Sequence, residues 1–92
     1  YIEVDEGAAT ALTKKGRSLL ASGITGIAGE FERGSVVGVK SPKGQEIARG
    51  IVHYSAGEIR LIAGRKSSEI EHILGEKDYD EVIHRNNLWV VR

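Results

Sequence analysis

The chain of 92 residues has no cysteine and no methionine, a single proline, and only one tryptophan, three tyrosines and one phenylalanine. Without cysteine there can be neither a disulfide nor a thiolate metal site, which suits a cytoplasmic location. Thirteen Lys and Arg against thirteen Asp and Glu leave no formal net charge. The whole-molecule field that marks strong nucleic-acid or membrane binders is therefore missing, and any such binding has to be local. No apolar stretch approaches the length of a membrane span, and no leader pattern precedes the first apolar residues, so a membrane is not an expected partner. The absence of methionine, together with a start at Tyr1 in what reads as a strand, leads us to expect a domain excised from a longer protein.

What is present reads as one small domain over residues 1–92, mostly β with short helices. Tyr1 to Val4 alternate as a strand, and Asp5 stands where an N-cap would accept backbone N–H bonds. The following helix has a small-residue inner face of Ala8, Ala9, Ala11 and Leu12. Lys14 and Lys15 suit the negative end of its dipole, and Gly16 suits its left-handed stop. Between Ser18 and Gly29 glycine recurs at 23, 26 and 29, interleaved with Leu19, Leu20, Ile24 and Ile27. This pattern predicts a kinked strand at a barrel corner.

Val36, Val37 and Val39 mark a strand, Ser41-Pro42-Lys43-Gly44 a type I turn, and Gln45 to Tyr54 the return strand of a hairpin. Ser55 with Glu58 and Ser68 with Glu71 fit capping boxes, predicting two short helices that end near Gly64 and Gly75. Glu81 to His84 and Leu88 to Val91 read as strand segments. Trp89 is expected to close the core, since tryptophan is highly buried on average. An exposed Trp89 would instead mark a docking edge. Together these elements predict a partly closed, mainly antiparallel barrel with helices at its ends.

Motifs that carry chemistry are scarce. Gly64-Arg65-Lys66-Ser67 resembles the end of a phosphate-binding loop but lacks the required earlier glycine. The spacing of Gly23, Gly26 and Gly29 is not the dinucleotide fingerprint. His53, His72 and His84 fall on separate elements with no metal-ligand spacing, and a lone strand histidine is more often packed and hydrogen-bonded than catalytic. The acidic stretch of Glu69, Glu71, Glu76, Asp78, Asp80 and Glu81 reads as a solvated face. One constellation suggests binding. Lys14, Lys15 and Arg17 cluster at the end of the first helix, followed by Ser18 and the approach to Gly23, so basic tips and backbone amides could meet a phosphate backbone. The competing account is a solvated helix end whose lysines serve the dipole.

The string SLLASGITGIAGEFERGSVVGVKSPKGQEIARGIVHYS resembles the PUA domain pattern: a "G-x-F-x-R-G" turn, a valine strand and "G-x-E-I-A-R-G" on the return. The narrower strings VDEGAATAL, IARGIVHYSAGEIRLIAGRKSSEIEHILG and EVIHRNNL are similar to the carboxy-terminal PUA domain of bacterial glutamate 5-kinases, in order and over nearly the whole chain. The resemblance implies a PUA-like pseudo-barrel of mixed strands. It also implies a parent enzyme that phosphorylates the γ-carboxylate of glutamate with ATP and magnesium, the first step of proline biosynthesis, under feedback inhibition by proline.

The kinase site would belong to an amino-terminal amino-acid-kinase domain, so the resemblance places no catalytic residue, cofactor or metal in residues 1–92. In RNA-modifying relatives the RNA groove runs along the first helix, the glycine loop and the last strand, which maps by position onto Lys14, Lys15, Arg17, Ser18, Gly23 and Arg85. Partners implied are the kinase domain of the same chain, further copies in a homo-oligomer, and RNA. His53, Glu76 and Asn86 stand where the family pattern implies asparagine, an aromatic and aspartate.

Overall fold

Alternation of apolar and polar residues builds the sheet, and the computed structural model describes it within residues 1–91. Strand β1 (Ile2–Val4) leads through the Asp5 cap into helix α1 (Glu6–Lys14), with the Ala8 N–H donating to Asp5 Oδ1 at 2.7 Å. Gly16 follows at φ +60°, the left-handed stop anticipated there. Strands β2 (Ile24–Ile27), β3 (Val36–Lys40) and β4 (Glu46–Ile51) come next, then helices α2 (Ala56–Ile62) and α3 (Ile70–Leu74) and strand β5 (Leu88–Val90).

The five strands form one mixed sheet in the order β2-β1-β3-β4-β5, with β1 and β3 parallel and the other pairs antiparallel. In the β3–β4 turn, the Gly44 N–H donates to the Ser41 carbonyl at 2.9 Å, and the positive φ of +82° at Gly44 is a conformation L side chains resist. Ile2, Val4, Val37, Val39 and Ala48 point inward and meet Leu12 of α1 and Ile59, Ile62 and Ile70 of the later helices in one core. Sheet and helices are thus two layers around a single apolar interior.

Five expectations are corrected. The sheet is open, not a partly closed barrel: among the described residues the one β-bridge between the segments before β2 and β5 is the antiparallel pair Leu19↔Ile83. The kinked strand from Ser18 to Gly29 shrinks to β2, because a 3₁₀ turn at Ala21–Gly23 intervenes. That turn holds the chain against α1, where the Asp5 N–H donates to the Gly23 carbonyl at 2.9 Å. Likewise Glu81 to His84 contributes one bridge residue and then turns, with the Asn86 N–H donating to His84 Nδ1 at 3.0 Å.

The Ser68–Glu71 box is displaced by two residues: Glu69 Oε1 accepts from the Lys66 N–H at 3.1 Å, and a 3₁₀ turn at Ser67–Glu69 leads into α3. The box of α2 stands as read, with Ser55 Oγ and Glu58 Oε1 each accepting the other's backbone N–H. Finally, Trp89 is not core closure. Strand alternation turns Leu88 and Val90 inward, so Trp89 faces out opposite Arg49 with 48% of its surface exposed.

Candidate functional site

The predicted basic constellation divides between two grooves. The first, a cavity of about 240 Å³, lies between the start of α1 and the loop after it, lined by Asp5, Gly7, Ala8, Ala11, Arg17, Ser18, Leu19, Leu20, Ser22 and Gly23. Small residues make it: a Cβ on Gly23 would sit 2.6 Å from the Ala8 methyl, so only glycine lets the loop lie this close to the helix. The groove is joined to the end of the chain by Ser18, whose Oγ accepts the Arg85 backbone N–H at 2.8 Å. The fold therefore gathers Arg17, Ser18 and Gly23, with Arg85 one hydrogen bond away.

It does not gather the lysines there. Lys14 lines a different groove with Thr10, Thr13, Ser41, Lys43 and Gln45, and Lys15 closes α1 by donating its N–H to the Ala11 carbonyl at 3.3 Å. Among the described residues the salt bridges use Arg33, Arg49, Arg60, Arg65 and Lys77, and none uses Lys14, Lys15, Arg17 or Arg85. The first groove can thus offer one uncommitted guanidinium, at Arg17, beside a serine and a glycine loop.

A second polar cluster was not legible as such in the sequence. Arg33, in the Phe31-to-Gly34 turn, grips Glu58 with two hydrogen bonds, Nε to Oε1 at 2.8 Å and Nη2 to Oε2 at 2.6 Å, and donates a third to Asp78 Oδ2 at 3.0 Å. Its guanidinium carbon lies 5.1 Å from the centroid of the buried Tyr54 ring. The Tyr54 hydroxyl donates to the Tyr79 carbonyl at 2.6 Å and accepts the Tyr79 N–H at 3.2 Å. His53 stacks on the Tyr79 ring at 3.9 Å and places Nδ1 3.0 Å from the Glu81 carbonyl.

This cluster pins the irregular segment between α3 and β5 to the strand ends. Its signals were present but scattered, as Arg33 of the turn motif, Glu58 of the capping box and Asp78 of the acidic stretch. Only the fold brings them within bonding distance. Among the described residues no three His, Asp or Glu side chains converge on a metal-sized point, and no buried side-chain polar atom lacks a partner.

The cluster has a pH signature. Hydrogen bonds from Arg33, reinforced by the Ser55 backbone N–H, hold the Glu58 carboxyl at about 2, below its usual 4.5, against partial burial that acts the other way. A depressed carboxyl pKa stabilises the folded state fully above pH 4.5, and that contribution is lost as pH falls from there through about 2. After solvent screening we expect ~1–2 kcal/mol from Glu58. Urea denaturation at pH 7 and pH 3 should show Glu58→Gln weakening the domain at pH 7 and mattering less at pH 3.

The PUA domain family model matches residues 1–74, and the chain belongs to the PUA domain family. A glutamate 5-kinase of Trichlorobacter lovleyi is 59% identical over 85 residues, covering 92% of this chain and 23% of that protein. A glutamate 5-kinase of Moorella thermoacetica is 51% identical over 90 residues, covering 98% of this chain and 24% of that one. The chain thus spans about a quarter of the length of the curated relatives it matches.

Among solved structures, a conserved PUA domain protein from Thermoplasma acidophilum superposes with a TM-score of 0.59 at 37% identity, over 64% of this chain and 38% of that one. A PUA domain from Aeropyrum pernix K1 gives 0.65 at 24% identity, over 90% of this chain and 40% of that one, a likeness of fold. No helix among the described residues is long and apolar enough to cross a membrane.

Proposed function

We propose that this PUA domain is a non-catalytic accessory domain at the carboxy terminus of a glutamate 5-kinase, acting in the regulation, stability or assembly of that enzyme. The observation that carries this reading is identity of 51–59% to glutamate 5-kinases along nearly the whole chain, although the chain spans only a quarter of their length. ATP, magnesium and the phosphorylation of glutamate then belong to the amino-acid-kinase portion of the parent, in the cytoplasm. The internal chemistry is consistent with this division of labour: in the Arg33–Glu58–Asp78 cluster the charged groups pair with one another.

Deleting the domain from the intact kinase tests the reading. The expected result is a change in magnesium response, proline inhibition or oligomeric state. If all of these and the turnover stayed as in the intact enzyme, the domain would have no accessory role.

A second reading, RNA binding, is favoured by the groove that places Arg17 beside Ser18 and Gly23. The same two proteins separate it. Structured RNA should bind the intact kinase with affinity that falls steeply with salt, weaken on Arg17→Ala and vanish with the domain. No binding at low salt would end this second reading.

A further inference from the structure

One face of the domain has no role in the functions proposed above. The pairings Gly38↔Arg49 and Arg49↔Trp89 put these residues on the outer side of the sheet, and strand alternation adds Val36 and Val91. Tyr1 lies across the same face, since a Cβ on Gly38 would sit 2.5 Å from its ring. Tyr1, Val36, Trp89 and Val91 are 42%, 55%, 48% and 40% exposed, and together they are most of the large apolar side chains the described residues leave in water. Trp89 stands on β5, the last strand of the open sheet, whose outer edge has no partner strand among the described residues.

The charges on this face are committed locally. Arg49 Nε bonds Glu46 Oε1 at 2.6 Å, and Lys40 Nζ lies 4.1 Å from the Tyr1 ring centroid. A phosphate backbone would find Arg49 already paired and only Lys40, laid against the Tyr1 ring, to meet it, whereas an apolar protein surface would find an aromatic anchor at Trp89 beside a neutralised Arg49–Glu46 pair.

Size selects among protein partners. A free-standing dimer interface takes roughly 800 Å² and about 20–30 residues from each partner, whereas the apolar patch here consists of four side chains, each about half exposed. A surface on the same polypeptide needs less, because a tether of ordinary length supplies an effective concentration on the order of millimolar. Relatives of this chain are about four times its length, so a tethered partner of that size is at hand. Resting on the accessory-domain reading, we infer that the outer sheet face centred on Trp89 is where the domain docks on an apolar surface of the remaining portion of its own kinase chain.

The test uses the full-length kinase with Trp89→Lys combined with Val36→Lys, both at exposed positions. Protected β3 and β4 amides in hydrogen exchange would verify that the domain itself stays folded. The expected result is a larger radius of gyration in small-angle scattering and protease cleavage between domain and remainder roughly tenfold faster, with the oligomeric mass unchanged.

Unchanged scattering and cleavage in a folded variant would overturn the docking proposal. A fall in oligomeric mass would overturn it in favour of a second copy, and loss of RNA affinity without undocking in favour of RNA. Should the variant unfold, lower exchange protection of residues 88–91 in the 92-residue chain than in the intact kinase still supports docking, and equal protection overturns it. Glutamate phosphorylation by the intact chain is read separately: its absence sinks the accessory reading, and its presence with no undocking sinks the docking proposal alone.

Discussion

Tyr54→Ala is expected to destabilise the domain by ~3–5 kcal/mol, the range for removing a fully buried aromatic side chain. Tyr54 ranks among the largest fully buried side chains, and it carries two functions at once. Its ring fills the core, while its hydroxyl satisfies both the N–H and the carbonyl of Tyr79. Small domains have little stability in reserve, so urea denaturation of this variant should find it largely unfolded in water. Tyr54→Phe separates the two functions. It keeps the ring and strands the Tyr79 backbone groups, for a loss of ~1–2 kcal/mol. If alanine and phenylalanine cost the same, ring packing would not be what Tyr54 supplies.

Gly50→Ala should follow closely, at about 2–3 kcal/mol, by overpacking. A Cβ at this buried position would lie 2.5 Å from Ile83 Cγ2 and 2.8 Å from the Asn87 carbonyl oxygen. The isoleucine could move by changing rotamer, but the carbonyl belongs to the backbone leading into β5 and takes that strand with it. Gly57→Ala makes the contrast. It is exposed in the first turn of α2 with its nearest neighbour 4.0 Å away, so alanine there should stabilise by about 0.5–1 kcal/mol. A shift of the urea midpoint in the same direction for both variants would contradict the steric account of Gly50.

These two sites also show what the sequence could convey. The "G-x-E-I-A-R-G" string of the return strand includes Gly50, but nothing local says that Ile83 and Asn87, more than thirty residues later, cross above it. Local devices were readable because their partners are three or four residues apart: the Asp5 cap, the Ser55–Glu58 box and the Ser41–Gly44 turn all stand as read. Long-range geometry was not. Lys14, Lys15 and Arg17 are neighbours in sequence, yet α1 puts Lys14 in a groove on the side of the β3–β4 turn, while the left-handed Gly16 turns the chain and Arg17 lines the groove beside Gly23.

Gly23, Gly26 and Gly29 likewise share one spacing and have three settings. Gly23 admits Ala8, Gly26 faces Glu3 across the β1–β2 pair, and Gly29 has a φ of +85° after the strand ends. A common bend was the natural inference from their period, and packing against α1 at the first of them replaced it with a turn. Trp89 illustrates the same limit, because average burial is a property of the residue type and the face it occupies is fixed by register.

Under the proposed accessory role, the domain sits in a glutamate 5-kinase without performing its chemistry. The most direct measurement is the turnover of glutamate phosphorylation by the parent enzyme after removal of the segment matching residues 1–92, with circular dichroism confirming that the remainder is folded. The expected result is turnover retained within roughly tenfold of the intact enzyme, a loss too small for removal of a catalytic group. Turnover at the uncatalysed background in a folded remainder would contradict it.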